Sequence, residues 1–154
     1  MEQKSPIILA TDHAGFVLKE SIKEYLKFLG MEVEDMGATQ FKEDDDYPDY
    51  ASPAAKKVAA GGAEARGIFF CGNAVGVCMI ANKTPGIRAA VGFNTAVAKT
   101  SRTDDDTNVL CLPGRILSKD FARAIVRLWI ETPFSGEERH IRRLAKVAEL
   151  DQKK

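Results

Sequence analysis

The stretch of this chain with the clearest chemical potential is a cysteine followed by small residues: Cys71, Gly72, Asn73, Ala74, Val75 and Gly76. The apolar run at residues 68–70 predicts a buried strand before it, and apolar residues after it predict the start of a helix. Unpaired N–H groups at a helix N-terminus attract anions. A thiol at the strand end would feel the same positive potential, which favours its thiolate. The stretch therefore predicts a phosphate or oxyanion cradle beside a candidate base or nucleophile.

The same stretch also has a purely structural interpretation. Buried cysteines are common in protein cores, and glycines are often selected for backbone freedom in turns. The glycine spacing matches neither a Walker loop nor G-x-G-x-x-G, so a nucleotide ligand is not indicated. Both interpretations remain open on this stretch alone.

Composition narrows the class of protein. The 154 residues favour one domain with a full core over residues 1–154. Lys+Arg and Asp+Glu are balanced at 22 each, so the chain lacks the basic excess typical of nucleic-acid binding. No apolar run approaches the roughly 20 residues of a membrane helix. We therefore expect neither a nucleic-acid partner nor membrane insertion.

The cysteine and histidine counts bear on compartment and on metals. Three cysteines, an odd number, in a chain that begins without a signal-peptide pattern favour free thiols in the cytoplasm. The two histidines, His13 and His140, lie far apart in sequence, and no C-x-x-C motif occurs. We therefore expect no metal site.

The elements that must position these residues alternate along the chain. Apolar runs predict strands at 6–10, 31–36, 68–71, 87–91 and 109–112. Helical periodicity and caps predict helices at about 16–29, 47–60, 77 onward, 94–102, 118–131 and 137–150. Strands that alternate with helices form βαβ units. The fold class predicted is α/β: a Rossmann-like three-layer αβα sandwich with a five-stranded parallel sheet.

In such sheets ligands bind beyond the carboxyl ends of the strands. The first strand leads into Asp12 and His13, the third ends at Cys71, and the fifth runs from an acidic segment at 104–106 to Arg115. One polar group at a strand end is often only a helix cap. A thiol, an imidazole, carboxylates and a glycine loop at one edge predict a site.

Six motifs then follow one another in register: D-H-A-G-F-x-L-K at 12–19, D-Y-P-D-Y-A at 46–51, C-G-x-x-x-G-x-x-x-x-A-N-K at 71–83, G-I-R-A-A at 86–90, D-x-N-V-L at 106–110 and R-H-x-x-R at 139–143. Together they resemble the type B ribose-5-phosphate isomerases and the related galactose-6-phosphate isomerase subunits. The resemblance covers essentially the whole chain. It implies a five-stranded parallel sheet in a homodimer or dimer of dimers, with the terminal helix at about 137–150 contacting a partner subunit.

The resemblance also implies an activity. It is the interconversion of an aldose phosphate and a ketose phosphate without metal or cofactor, by proton transfer between C1 and C2 through an enediolate. The family's base falls on Cys71, and its oxyanion cradle falls on the loop from Gly72 to Gly76. The sugar hydroxyls would meet Asp12, with His13 and Tyr47 nearby.

The phosphate arginines of the family fall on Arg115, Arg139 and Arg143, in sites that family members assemble across the dimer interface. The motif R-H-x-x-R also adds His140 to the expected substrate-binding residues. Arg139 and Arg143 are four residues apart, so both can face one phosphate from a helix. Without the resemblance, a solvated charged face is the preferred interpretation of this helix.

The sequence departs from the family pattern in three places. The cradle typically reads G-T-G-x-G, whereas Asn73 and Ala74 here replace the hydroxyl and one glycine. The family's ring-opening His and the following Asn are replaced by Asp104 and Asp105. A Gly-Gly pair before R-H-x-x-R is replaced by two glutamates, at 137–138. Substrate specificity can therefore differ from that of the family.

Asp104 has two interpretations. It can replace the family's acid if its acidic neighbours raise its proton affinity. Alternatively it is part of a solvated turn, and ring opening is spontaneous or assigned to His13 or His140. The function predicted is isomerisation of ribose 5-phosphate and ribulose 5-phosphate. The alternative is a non-catalytic sugar-phosphate-binding protein, or one subunit of a mixed hexose-6-phosphate isomerase.

Overall fold

The computed structural model describes residues 5–152. The first residues, which bear on the expected lack of a signal peptide, lie outside this range. The described residues form one parallel sheet in the order β2-β1-β3-β5-β4. The strands are β1 (Ile7–Thr11), β2 (Val33–Asp35), β3 (Arg66–Cys71), β4 (Ala89–Val91) and β5 (Val109–Pro113). The predicted α/β class with five parallel strands is confirmed.

Helices connect the strands and cover the sheet. They are α1 (Phe16–Phe28), α2 (Tyr47–Ala60), α3 (Val75–Asn82), α4 (Thr95–Thr103), α5 (Lys119–Glu131) and α6 (Glu138–Asp151), with a 3₁₀ turn at His13–Gly15 before α1. Side-chain caps fix two helix starts: the Asn94 amide oxygen accepts from Val97 N–H, and the Ser118 hydroxyl accepts from Phe121 N–H.

Two hydrophobic clusters, one on each face of the sheet, make the three layers. Helices α2 and α3 pack on one face, where Ala51, Ala54 and Ala55 allow a close approach. Helices α1, α4 and α5 pack on the other face around Trp129, which is fully buried. The inner strands β3 and β5 are buried throughout, as expected for strands covered on both faces.

The observed strand lengths differ from the predicted ones at the sheet edges. β2 pairs only over Val33–Asp35 and β4 only over Ala89–Val91, although apolar residues extend both runs. β3 is longer than predicted, because Arg66 and Gly67 pair with the start of β1. Pairing with a neighbour, rather than apolar composition, therefore sets these ends.

Lys19 is buried, although it is a charged residue of an amphipathic helix, α1. Its side chain is fully buried, and its Nζ lies 2.7 Å from Asp35 Oδ2 and 2.6 Å from the Ala38 carbonyl oxygen. Lys23 also reaches Asp35, at 2.9 Å. The edge strand β2 is thus tied to α1 by buried and half-buried charges as well as by its short ladder.

Helix α6 lies on the surface, and His140 is the only one of its residues that is buried. Ile141, Val147 and Leu150 of this helix expose about half of their surface, at 52%, 46% and 58%. Among residues 5–152 no helix combines the length and the apolar character needed to cross a bilayer.

Candidate active site

A cavity of about 340 Å³ opens where β1, β3 and β5 end at the carboxyl edge of the sheet. It is lined by Asp12, His13, Ala14, Tyr47, Cys71, Gly72, Asn73, Gly76, Arg115 and Ile116. Eight of these residues were predicted site residues. Residues from four separate parts of the sequence thus meet in one cavity at the carboxyl edge.

Cys71 is the last residue of β3 and lies in the cavity wall. Its residue surface is 4% exposed, and its thiol lies 4.0 Å from the Asn73 amide oxygen, at the long end of sulfur hydrogen bonding. The carbonyl oxygen of Cys71 accepts a hydrogen bond from Gly114 N–H at 2.8 Å. This bond holds the thiol beside the loop that follows β5.

The loop after Cys71 turns sharply before α3. The Asn73 amide oxygen accepts a hydrogen bond from Val75 N–H at 3.0 Å, which leaves the NH₂ group of Asn73 available to another acceptor. Ala74 has φ +67°, a left-handed conformation that costs about 1–2 kcal/mol for a residue with a Cβ. This is the position at which the family pattern carries glycine, and the Ala74 side chain is fully buried.

Gly76, in the first turn of α3, is required by the packing of Tyr47. A Cβ built on Gly76 would lie 2.6 Å from Cζ of the Tyr47 ring. The ring, carried by the first residue of α2, therefore rests directly on the backbone of the loop. Only glycine allows this contact, which closes one side of the cavity.

Asp12 and Arg115 stand at the ends of the two flanking strands. One oxygen of Asp12 accepts a hydrogen bond from Gly15 N–H at 3.1 Å and caps the short turn, so the residue also has a structural role. Arg115 N–H donates to the Gly72 carbonyl oxygen at 3.1 Å, and its side chain passes close to Gly72. Arg115 is thus the guanidinium that this chain places at its own cavity.

His13 is held by a residue that the sequence did not reveal. Asp45 Oδ1 lies 2.8 Å from both the backbone N and the ring Nδ1 of His13. The Phe41 ring meets the imidazole edge to face, with the ring centroids 6.4 Å apart. Asp45 belongs to the acidic run E-D-D-D before Tyr47, and no spacing rule singles it out from its neighbours.

Asp12, His13 and Asp45 also have the donor types of a divalent-metal site. One candidate ligand atom of each lies within 4.8 Å of the others. No sequence pattern indicates this group, because 32 residues separate Asp45 from His13. In the structure Nδ1 of His13 is already hydrogen-bonded to Asp45, so the imidazole and the carboxylate form a pair of their own.

The other two cysteines lie behind the site, in the core between α3 and the sheet. Burial raises the pKa of the Cys111 thiol well above its usual value. A hydrogen bond from Cys111 lowers the pKa of Cys78, which is half-buried. Cys78 is therefore a more accessible thiol than Cys71, although it does not line the cavity.

Two further predicted residues, Ala74 and Val75, belong to the loop at the start of α3 but do not line the cavity. The other five lie away from it and are called the second group here: Asp104, Asp105, Arg139, His140 and Arg143. Asp104 and Asp105 precede β5 and so lie at the amino edge of the parallel sheet, opposite the cavity. The carboxyl-edge rule cannot bring them to the cavity of their own chain.

Within the second group, the Nε2 atom of His140 lies 3.7 Å from Asp104 Oδ1. Asp104 also accepts a hydrogen bond from the Thr103 hydroxyl at 2.7 Å. The Arg139 guanidinium forms an ion pair with Glu137, one of the two glutamates that depart from the family pattern. Arg143 lies one helical turn further along α6 and is exposed.

Comparison with known proteins shows the family to which the chain belongs. A model of the ribose/galactose isomerase family matches residues 7–147. The chain is 39% identical over 148 residues to ribose-5-phosphate isomerase B of Escherichia coli, which covers 96% of this chain and 97% of that protein. The chain belongs to the ribose/galactose isomerase family.

Solved structures agree with this assignment. Ribose-5-phosphate isomerase B of Mycoplasma genitalium with bound ribulose-5-phosphate superposes with a TM-score of 0.95 at 37% identity, covering 99% of this chain and 100% of that one. The enzyme from Thermotoga maritima gives a TM-score of 0.89 at 39% identity, covering 95% and 99% of the two chains. The predicted resemblance to type B ribose-5-phosphate isomerases is confirmed.

Membership of the ribose/galactose isomerase family makes the three departures informative. Asn73 and Ala74 change the cradle, where Ala74 adopts the left-handed conformation. Asp104 and Glu137 change the second group, where each residue contacts a member of the R-H-x-x-R motif. The departures therefore fall on the second group more heavily than on the cavity.

Proposed function

We propose that this chain is an aldose–ketose isomerase of phosphorylated sugars, with ribose 5-phosphate and ribulose 5-phosphate as its substrate pair. The observation that carries the proposal is the Cys71 thiol at the end of β3, beside the N-terminus of α3 and in one cavity with Asp12 and Arg115. Support comes from the relatives named above, whose names specify this reaction. A working thiol also fits the reducing conditions of the cytoplasm, where we place the protein.

Cys71 acts as the base on the open-chain sugar. Its thiolate removes the proton from C2 of the aldose, and the C2–H electron pair forms the C1–C2 double bond while the carbonyl electrons move to O1. The thiol returns the proton to C1, and the C2 hydroxyl proton passes to O1 as the new carbonyl forms at C2. No atom is gained or lost, which is the balance that an isomerase requires.

The loop N–H groups stabilise the intermediate. Oxygen O1 gains negative charge in the enediolate, and N–H groups at the start of α3 together with the free NH₂ of Asn73 can donate to it. Asp12 accepts from the sugar hydroxyls, since a carboxylate only accepts hydrogen bonds. The cavity thus supplies a base, an oxyanion cradle and a hydroxyl acceptor.

A sugar phosphate carries more negative charge than the single guanidinium of Arg115 can neutralise. We propose that two copies of the chain assemble so that α6 of each supplies Arg139 and Arg143 to the cavity of the other. Two observations support this arrangement: both arginines are exposed and remote from the cavity of their own chain, and α6 exposes Val147 and Leu150 on the side of the helix that carries them. Large apolar side chains left exposed on a surface helix favour a protein partner.

The test is substrate-dependent exchange of the C2 proton with solvent, followed by NMR in deuterium oxide with ribose 5-phosphate. We expect exchange with the parent protein and its loss in Cys71→Ala, while the matched control Cys78→Ser retains it. Sedimentation in the same buffer should give at least a dimer. Binding without exchange on every pentose and hexose phosphate tried would favour the binding protein or the mixed-isomerase subunit instead.

A further inference from the structure

The loop between β2 and α2 holds the His13 imidazole through Asp45. A single carboxylate oxygen, Asp45 Oδ1, lies 2.8 Å from the backbone N and 2.8 Å from the ring Nδ1 of His13. An ionised carboxylate has no proton to donate, so Nδ1 carries the proton of this bond. The ring nitrogen left for a ligand is therefore Nε2.

The contact is buried, unlike most pairs of this type on protein surfaces. The Asp45 side chain is 4% exposed and the His13 side chain 24%. The other oxygen, Asp45 Oδ2, is buried and accepts no hydrogen bond from the described residues. Burial, followed by the negative charge of Asp45, raises the pKa of the nearby Tyr50. Asp44, the neighbouring carboxylate in the acidic run, is exposed instead.

Aromatic packing restrains the same ring. Phe41, from the loop that carries Asp45, meets His13 edge to face at 6.4 Å and Phe16 at 6.2 Å between ring centroids. The imidazole thus has a hydrogen bond at Nδ1 and an edge-to-face contact with Phe41. These two contacts favour one ring orientation and leave Nε2 as the nitrogen that can meet a ligand.

We propose that Asp45 is a positioning residue that fixes the His13 imidazole with Nε2 toward the substrate in the cavity. His13 lines the cavity together with Asp12, Cys71 and Arg115, whereas Asp45 does not. Asp45 therefore acts through His13 and not by touching the sugar phosphate. The identity of the substrate rests on the proposed function, but the orientation of the ring is a property of the free protein.

The first measurement is made without substrate. Nitrogen-15 NMR of the His13 ring should show a protonated Nδ1 in the parent protein. The preference for a protonated Nδ1 should disappear in Asp45→Ala and persist in Asp45→Asn, because an amide oxygen also accepts from Nδ1–H. Asp44→Ala, an exposed neighbour in the same loop, is the matched control and should leave the spectrum unchanged.

The second measurement is a double-mutant cycle on the isomerase reaction. Asp45→Ala should raise KM for ribose 5-phosphate about tenfold, the scale of one lost hydrogen bond to a charged group, with kcat changed less. In a His13→Ala background, Asp45→Ala should raise KM no further, since the two residues act as one unit. Asp45→Asn should recover part of the loss.

Three results distinguish the outcomes. An unchanged His13 spectrum in Asp45→Ala, or independent losses in the cycle, would overturn the positioning role. If Asp45→Ala loses the Nδ1 preference but the parent protein shows no isomerisation, the proposed function is overturned and the role of Asp45 in orienting the ring is not. If Asp45→Ala fails to fold, Asp45→Asn carries the cycle, and independent losses there count equally against the proposal.

Discussion

The Nε2 atom of His140 lies 3.7 Å from the Asp104 carboxylate, across the gap between α6 and the end of α4. The imidazole is buried, with 5% of the residue exposed, whereas 45% of the Asp104 side chain is exposed. The resemblance places the family's ring-opening acid at Asp104, so the imidazole of the second group lies close to that position. We therefore expect acid–base work there from the carboxylate or from His140.

Asp104 is tested by two substitutions made side by side. We expect Asp104→Asn to slow the isomerisation of ring-closed ribose 5-phosphate by about 100-fold, the lower end of the usual contribution of a general acid or base. Asp104→His should retain or raise the rate, because an imidazole exchanges protons readily near neutral pH. The measurement is kcat/KM for ring-closed substrate.

Unchanged kinetics in Asp104→Asn would show that Asp104 is only part of a solvated turn. His140→Asn then becomes the deciding variant, since loss of rate there would assign ring opening to the imidazole. A structural defect is separated from a catalytic one by comparing thermal unfolding of both variants with the parent.

Cys71 gives the second prediction. If its thiolate is the base, Cys71→Ala should lower kcat by about 10²–10⁴-fold without a matching change in substrate binding. Because Cys78 is more exposed and has a lowered pKa, it will also react with iodoacetamide, so labelling should use a Cys78→Ser background. In that background ribulose 5-phosphate should protect Cys71 from alkylation.

The cysteine test has its own control in Cys111. This thiol is fully buried with a raised pKa, so it should remain unlabelled in the folded protein. Labelling of Cys71 no faster than Cys111, or full activity in Cys71→Ala, would contradict the assignment of the base.

Arg139 and its partner Glu137 give the third prediction. Arg139→Ala should weaken the binding of the phosphosugar by about 1.5–3 kcal/mol, the range for a hydrogen bond to a charged group. Glu137→Gly should strengthen binding slightly, because it frees the guanidinium from an exposed ion pair worth at most about 1 kcal/mol. Calorimetry with ribulose 5-phosphate measures both effects.

Arg142 provides the matched control, since it is exposed on the same helix and occupies an unspecified x position of R-H-x-x-R. Arg142→Ala should leave binding unchanged, and unphosphorylated ribose should bind the parent as weakly as it binds Arg139→Ala. Unchanged affinity in both Arg139→Ala and Arg143→Ala would return α6 to a solvated charged face.

The cavity could be predicted because it follows from local rules. Strand ends in a parallel sheet meet at one edge, so the positions of Asp12, Cys71 and Arg115 follow from the strand pattern. Asp45 could not be found this way, since its contact with His13 joins two loops and leaves no periodic signal. The burial of Lys19 could not be predicted either, because helical periodicity assigns lysines to the polar face of a helix.

The buried lysine gives the last prediction. Lys19 is fully buried and shares Asp35 with Lys23, and Asp35 Oδ1 also accepts from Gly37 N–H. Removing one partner of a buried ion pair costs about 3–5 kcal/mol. Lys19→Met should fall at the lower end, about 3 kcal/mol, because Lys23 still compensates Asp35 and methionine fills the apolar space. Urea unfolding at pH 7 measures the loss.

The pH dependence of Asp35 follows from the same contacts. Burial alone would raise its pKa, but hydrogen bonds from Lys19, Lys23 and Gly37 N–H outweigh this and hold the pKa below its usual range. The unfolded chain therefore binds a proton at Asp35 at a higher pH than the folded chain does, so the contribution is present above the ordinary value of about 3.9 and is lost below it. The stability difference between the parent and Asp35→Asn should shrink as the pH falls from 5 toward 2. The control is Glu34→Gln, in the same strand but in an exposed pair with Lys57; its free energy of unfolding should stay within about 0.5 kcal/mol of the parent throughout. A stability difference for Asp35→Asn that is constant with pH would contradict the role given to the Asp35 charge.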